Sequence, residues 1–183
     1  MAKDFLNLIE RALMMGISDK INGQTASGDD IYIYGQHPET EELKFPAVIV
    51  QQVASGHEEK FYGENITFGD QSNTGTTSGQ GEVYGIAFLV HLFVDKDSEV
   101  SVTSDRNRDG ASETIIYKQR RLLNWLMLNI ANAVMDINWD DYEEDELEVV
   151  ERHLAQWRDI GYFPNAQWHG ATAEFELYFL NLR

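Results

Sequence analysis

Residues 82–95 read EVYGIAFLVHLFVD, and their reading decides the fold. Tyr84, Ile86, Phe88, Val90, Leu92 and Val94 alternate with Gly85, Ala87, Leu89, His91 and Phe93. Period two with β-branched and aromatic residues predicts a strand, and apolar residues on both of its faces predict that both are covered. A helix layer covers one face. The other needs more chain or a neighbouring copy. Upstream, FPAVIVQQVA (residues 45–54) is a second central strand, with Pro46 suited to its first position.

Between these strands runs SGHEEKFYGENITFGDQSNTGTTSGQG (residues 55–81). Structureless connections beyond about 12–15 residues are uncommon in compact domains and are usually functional or disordered. The short runs KFYG and NITFG predict a distal hairpin, with DQSNTGTTSGQG as its mobile side. Phe61, Tyr62 and Phe68 on this arm cannot easily reach the domain core. They form either a small satellite cluster or an anchor onto a partner. With Ile66 on the arm, and His91 and Phe93 on the second face of the central strand, they make up the candidate interface residues.

Further out, Asp4 can cap a first helix whose apolar face is Phe5, Leu8, Ile9, Ala12, Leu13 and Ile17. IYIYG (residues 31–35) is a short strand. After an extended loop over residues 96–111, Ser112 can cap a long helix with Glu113 in its first turn and Ile115, Ile116, Gln119, Leu122, Leu123, Leu126, Ile130 and Val134 as its buried stripe. LEVVERHLAQWRDIG (residues 147–161) fits both periods: Leu147, Val150, Leu154 and Trp157 favour a helix slightly, while Val149, Glu151, His153, Ala155 and Trp157 fit a strand. GYFPN reads as a turn, and WHGATAEFELYFLNL (residues 168–182) as a closing strand. With no internal repeat or second linker, the expectation is one α+β domain over residues 1–183. It has an antiparallel sheet of about four or more strands packed against two helices, with a long protruding β-hairpin arm.

The formal charge is -17, from 31 acidic and 14 basic residues, which disfavours binding to phosphates or anionic lipid. There are no cysteines, so thiolate metal sites and disulfides are excluded. The N-terminal stretch is interrupted by Asp4 and Glu10 and predicts no signal peptide, and no apolar run reaches the roughly 20 residues of a membrane span.

Catalytic signatures are lacking. The sequence holds no GxSxG, P-loop or GxGxxG motif. DRNRDG (residues 105–110) resembles the opening of a calcium loop, but the twelfth position is Ile116 where a glutamate is needed. His153 and His169 could face each other if their strands pair, with no third ligand in the sequence to complete a metal site. His91 reads as a hydrogen-bonded core or interface histidine. Glu174 and Glu176 share one strand face that is solvated or lines a lumen, and NWDDYEEDE (residues 138–146) is a solvated loop. No cofactor is expected, and nothing here argues for an enzyme.

Together, FPAVIVQQVASGHEEKFYG, EVYGIAFLVHLFVDKD, the pair LEVVERHLAQWRDIG and WHGATAEFELYFLNL, and the order of elements around them resemble the tail terminator (tail completion) proteins of long-tailed bacteriophages. FPAV at the strand entry and the aromatic-rich final strand carry most of that resemblance. It implies that residues 147–158 are strand. It also implies a ring, commonly of six subunits, that caps the head-proximal end of the tail tube, stops its polymerisation and offers a surface to the head or neck. The partners implied are further copies of the chain, the tube protein and a neck or connector protein, with DNA passing through the lumen unbound. The expected location is the virion, after assembly in the host cytoplasm. Neck and head-completion adaptors share much of this architecture and form the alternative. The glycine-rich arm, the extended loop and the acidic insert depart from the smaller members of the family.

Overall fold

The computed structural model describes residues 5–26, 30–35, 43–60, 66–68, 77–79, 81–104, 113–138 and 147–182. Two helices, α1 (Phe5–Asn22) and α2 (Gln119–Asp136), pack on one face of a five-stranded sheet. The strands of that sheet are β1 (Tyr32–Tyr34), β2 (Ala47–Lys60), β5 (Gly81–Asp95), β8 (Leu147–Phe163) and β9 (Trp168–Leu182), in the order β1-β2-β5-β9-β8. Every pairing in it is antiparallel except β1 on β2, which is parallel. The chain is therefore α+β with a mostly antiparallel sheet, as the alternation predicts.

The core lies between the helices and the sheet. Ile86, Phe88, Val90, Leu92 and Val94 from β5 meet Ala171, Ala173, Phe175, Leu177 and Phe179 from β9. Ile9, Leu13 and Ile17 of α1 and Leu122, Leu126 and Ile130 of α2 close over them. Phe88, Phe175 and Phe179 are fully buried, each stabilising the fold by about 1.5–3 kcal/mol relative to exposure.

Four boundaries differ from the sequence reading. Residues 113–118 are a strand, β7 (Glu113–Lys118), not the first turns of a helix. They pair with β6 (Glu99–Ser104), which lies inside the stretch expected to be loop. Thr114, Ile115, Ile116 and Tyr117 are β-branched or aromatic and favour a pleated ribbon. α2 begins only at Gln119, whose φ of 48° turns the chain out of the strand. Ser112 lies outside the described residues. Second, β2 continues through residues 55–60, with Lys60 opposite Glu82, so the excursion starts later than its composition suggests. Third, Gly161–Phe163 extend β8 and the turn falls at residues 164–167. Fourth, the short strand β3 (Ile66–Phe68) pairs with β4 (Thr77–Gly79), drawn from the side expected to be mobile. Residues 61–65, including Phe61 and Tyr62, lie outside the described residues, as do 105–110 and 139–146.

Residues 147–163 are strand throughout, as the resemblance implies and against the helical count. Two side chains tie β8 to α2. The Arg120 guanidinium donates to Asp159 at 2.5 Å, and that bond holds the Asp159 carboxyl below its ordinary range. Arg152 donates to the Met135 carbonyl at 2.5 Å, satisfying an oxygen in the last turn of α2.

Candidate functional site: the sheet face opposite the helices

Alternation along β5 sends Leu89, His91 and Phe93 to the face away from the helices. Register then fixes their neighbours. Gln51, Ile49 and Ala47 of β2 stand opposite Leu89, His91 and Phe93, and Glu174, Thr172 and Gly170 of β9 stand opposite the same three. One strand further out, Gln156 and Arg158 of β8 are paired with Glu174 and Thr172. Leu89, His91, Phe93, Gln51, Thr172, Glu174 and Gln156 are all half-buried, and among the described residues no second layer covers them. Ala47 and Ile49 are buried here, yet they stand apart from the main core cluster.

His91 holds the centre. Its Nε2 lies 3.3 Å from the Gln51 side-chain oxygen and its Nδ1 2.9 Å from the Thr172 hydroxyl oxygen. The Gln51 oxygen can only accept, so Nε2 donates to it, while the Thr172 hydroxyl is the partner of Nδ1. The imidazole thus crosslinks β2, β5 and β9. It also stacks on Phe93, with ring centroids 6.4 Å apart. Phe93 meets Trp168 edge-on at 4.8 Å, and Trp168 stacks on Phe163 at 4.0 Å. Beside this aromatic row lies a shallow depression of about 270 Å³ lined by Leu89, Gln156, Arg158, Ile160, Thr172 and Glu174. Gln156 donates to Glu174 at 3.1 Å across it, while Ile160 is 42% exposed at its rim.

Of the sequence-derived interface residues, the fold brings His91 and Phe93 together on this face. Ile66 and Phe68 stand at the two ends of β3, opposite Gly79 and Thr77. Phe61 and Tyr62 lie outside the described residues. The sequence reading missed Leu89, Gln156, Arg158, Ile160 and Trp168 as members of one surface, because only the β8–β9–β5 register joins them. Glu174 and Glu176 do share this face, with Tyr178 donating to Glu176 at 3.4 Å. His153 and His169 do not face each other. Their partners across the ladder are Glu176 and Tyr162 respectively, and each histidine packs on a tyrosine: His153 on Tyr178, His169 on Tyr162. Among the described residues no group of three or more His, Cys, Asp or Glu side chains is placed to hold a metal ion.

Chemically, the surface offers apolar contact, hydrogen-bonding side chains and mixed charge, spread over four strands and without an enclosed cavity. Such a surface suits a broad protein contact better than a small ligand, which takes a concave pocket burying most of its area. No helix among the described residues is long and apolar enough to cross a membrane. No protein-family model matches the chain, and comparison with curated proteins finds no matching relative.

Proposed function

We propose that this chain is a structural virion protein of a long-tailed bacteriophage, a tail terminator. Copies close into a ring on the head-proximal end of the tail tube, halt its polymerisation and present a surface to the neck. The observation that carries the reading is the sheet face centred on His91. It interleaves apolar and aromatic residues over four strands, and its own chain leaves it half-buried. A repeated head-to-tail contact between copies would cover it without any reactive group. The order of helix, short strand, FPAV-led strand, central strand, long helix and closing strand pair supports the same reading. The net charge of -17 fits a lumen that DNA passes without adhering. Arm residues Phe61, Tyr62, Ile66 and Phe68 would add an anchor between subunits or onto the tube.

Negative-stain imaging of tails assembled with and without the protein tests the proposal. Overlong tubes in its absence support it. Finished tails of normal length left detached from heads would assign the chain to the neck instead. Tails unchanged in both respects would reject a role at either place.

A further inference from the structure

A ring needs two different surfaces on opposite sides of the subunit, and this inference, which rests on the ring reading, names the second. The helices cover one side of the sheet, so a surface opposite the His91 face must be helical. On α2, Arg121, Asn124, Leu128, Asn132 and Met135 recur at spacings of three and four and are all exposed, so they form one narrow outward stripe. Leu128 is 62% exposed and Met135 41%.

The chemistry of this stripe is unusual for the chain that carries it. With 31 acidic residues among 183, about one residue in six is Asp or Glu. From Gln119 to Met135 there is none. A solvated helix face in so acidic a protein would carry carboxylates. Interface cores are instead depleted of Asp, Glu and Lys, and Met and Arg are enriched there. The charges also complement each other across the subunit. Arg121 is the stripe's cation, whereas the opposite sheet face carries, among its described residues, two half-buried carboxylates, Glu174 and Glu176, against the single exposed cation Arg158 at the depression.

We infer that the α2 stripe of one copy seats on the His91 face of the next. Leu128 enters the depression beside Leu89 and Thr172, and Arg121 lies toward Glu174 and Glu176. The contact joins unlike surfaces on opposite sides of a two-layer subunit, so it repeats in one sense and closes a ring when the rotation allows. One copy's helix layer then supplies the cover that the next copy's sheet lacks.

The chain has no cysteine, so single introduced thiols report without background. Leu128→Cys and Leu89→Cys proteins, carrying different mass tags, are mixed at high concentration and treated with a short bismaleimide. Light scattering of the untreated wild type runs in parallel. The expected result is a crosslink between the two different variants and little between like ones. Leu128→Asp should raise the concentration for half-assembly more than tenfold while leaving the monomer's melting temperature unchanged, since Leu128 is outside the core. A ring that forms without the mixed crosslink, or that Leu128→Asp leaves intact, overturns this inference and spares the ring reading. Wild-type protein that stays monomeric at every concentration and forms no ring on purified tails overturns the ring reading itself.

Discussion

Gly170 sits where β9 passes beneath an indole. A Cβ built there would lie 2.8 Å from Trp168 Cζ3 and 3.5 Å from Phe93 Cδ1, so only glycine lets the Phe93–Trp168 pair close over the strand. Gly170→Ala should push Trp168 off Phe93 and cost about 1 kcal/mol, at the low end for overpacking because the indole is half-buried. In a Trp168→Ala background the same change should cost almost nothing. A double-mutant cycle by urea denaturation reads that coupling. Glu10 offers a second single-residue test. Burial raises its carboxyl pKa above the ordinary value, so the charged form is disfavoured in the folded state. The sign follows from linkage: the penalty is fully present above the raised folded pKa and fades as pH falls through the unfolded value. Glu10→Gln should therefore stabilise the protein near neutral pH, and the gain should vanish in acid, as melting temperatures across pH would show.

The element whose sequence misleads most is β8. Leu154 faces Phe175 and Trp157 faces Ala173, so two inward residues stand three apart on β8 but only two apart on β9. The register shift between Leu154 and Gln156 accounts for the difference, with Ala155 as the extra residue. Two further irregularities flank it, between Val149 and Glu151 and between Asp159 and Gly161. Each bulge resets the alternation, so the positions opposite the inward residues of β9 are Val149, Arg152, Leu154, Trp157 and Asp159, spaced by three and two instead of a steady two. That is why the periodicity of 147–158 does not read as a plain strand although these residues are one. The uninterrupted alternation of β5 and β9 was readable directly. The β6–β7 ribbon was not, because Ile115 and Ile116 continue the stripe of α2 in phase while their β-branching argues the other way. Deleting Ala155 should remove the bulge and restore strict alternation with Leu154 and Trp157 both still facing the core, since each keeps its partner on β9. We expect a cost of only about 1 kcal/mol, well short of the roughly 2–5 kcal/mol expected for the fully buried Leu177→Ala; chemical denaturation of both variants checks this.

Across the molecule, charge and the uncovered face act against each other. Copies bearing -17 repel, while the apolar parts of the His91 face favour contact. Salt screens the first and barely touches the second, since the Debye length falls from about 30 Å at 0.01 M to about 8 Å at 0.15 M. Self-association should therefore strengthen as ionic strength rises, and sedimentation velocity at several salt concentrations would reveal it. An assembly that salt dissolves would mean that ion pairs, not apolar contact, hold it. The candidate face was half legible at this scale. His91 and Phe93 announce themselves by their place in an apolar strand, but the surface they belong to exists only once four strands are set side by side.

The long strands and the shorter helices set unequal dimensions. β5 and β9 have 15 residues each, roughly 50 Å at 3.3–3.4 Å per residue, whereas α1 and α2 have 18 each, roughly 27 Å at 1.5 Å per residue. The subunit is thus a slat with padding along about half its length. Were such slats to stand upright around a channel like barrel staves, their span would set the height of the collar, and a side-on silhouette about 50 Å tall would reveal that posture before any atom was resolved.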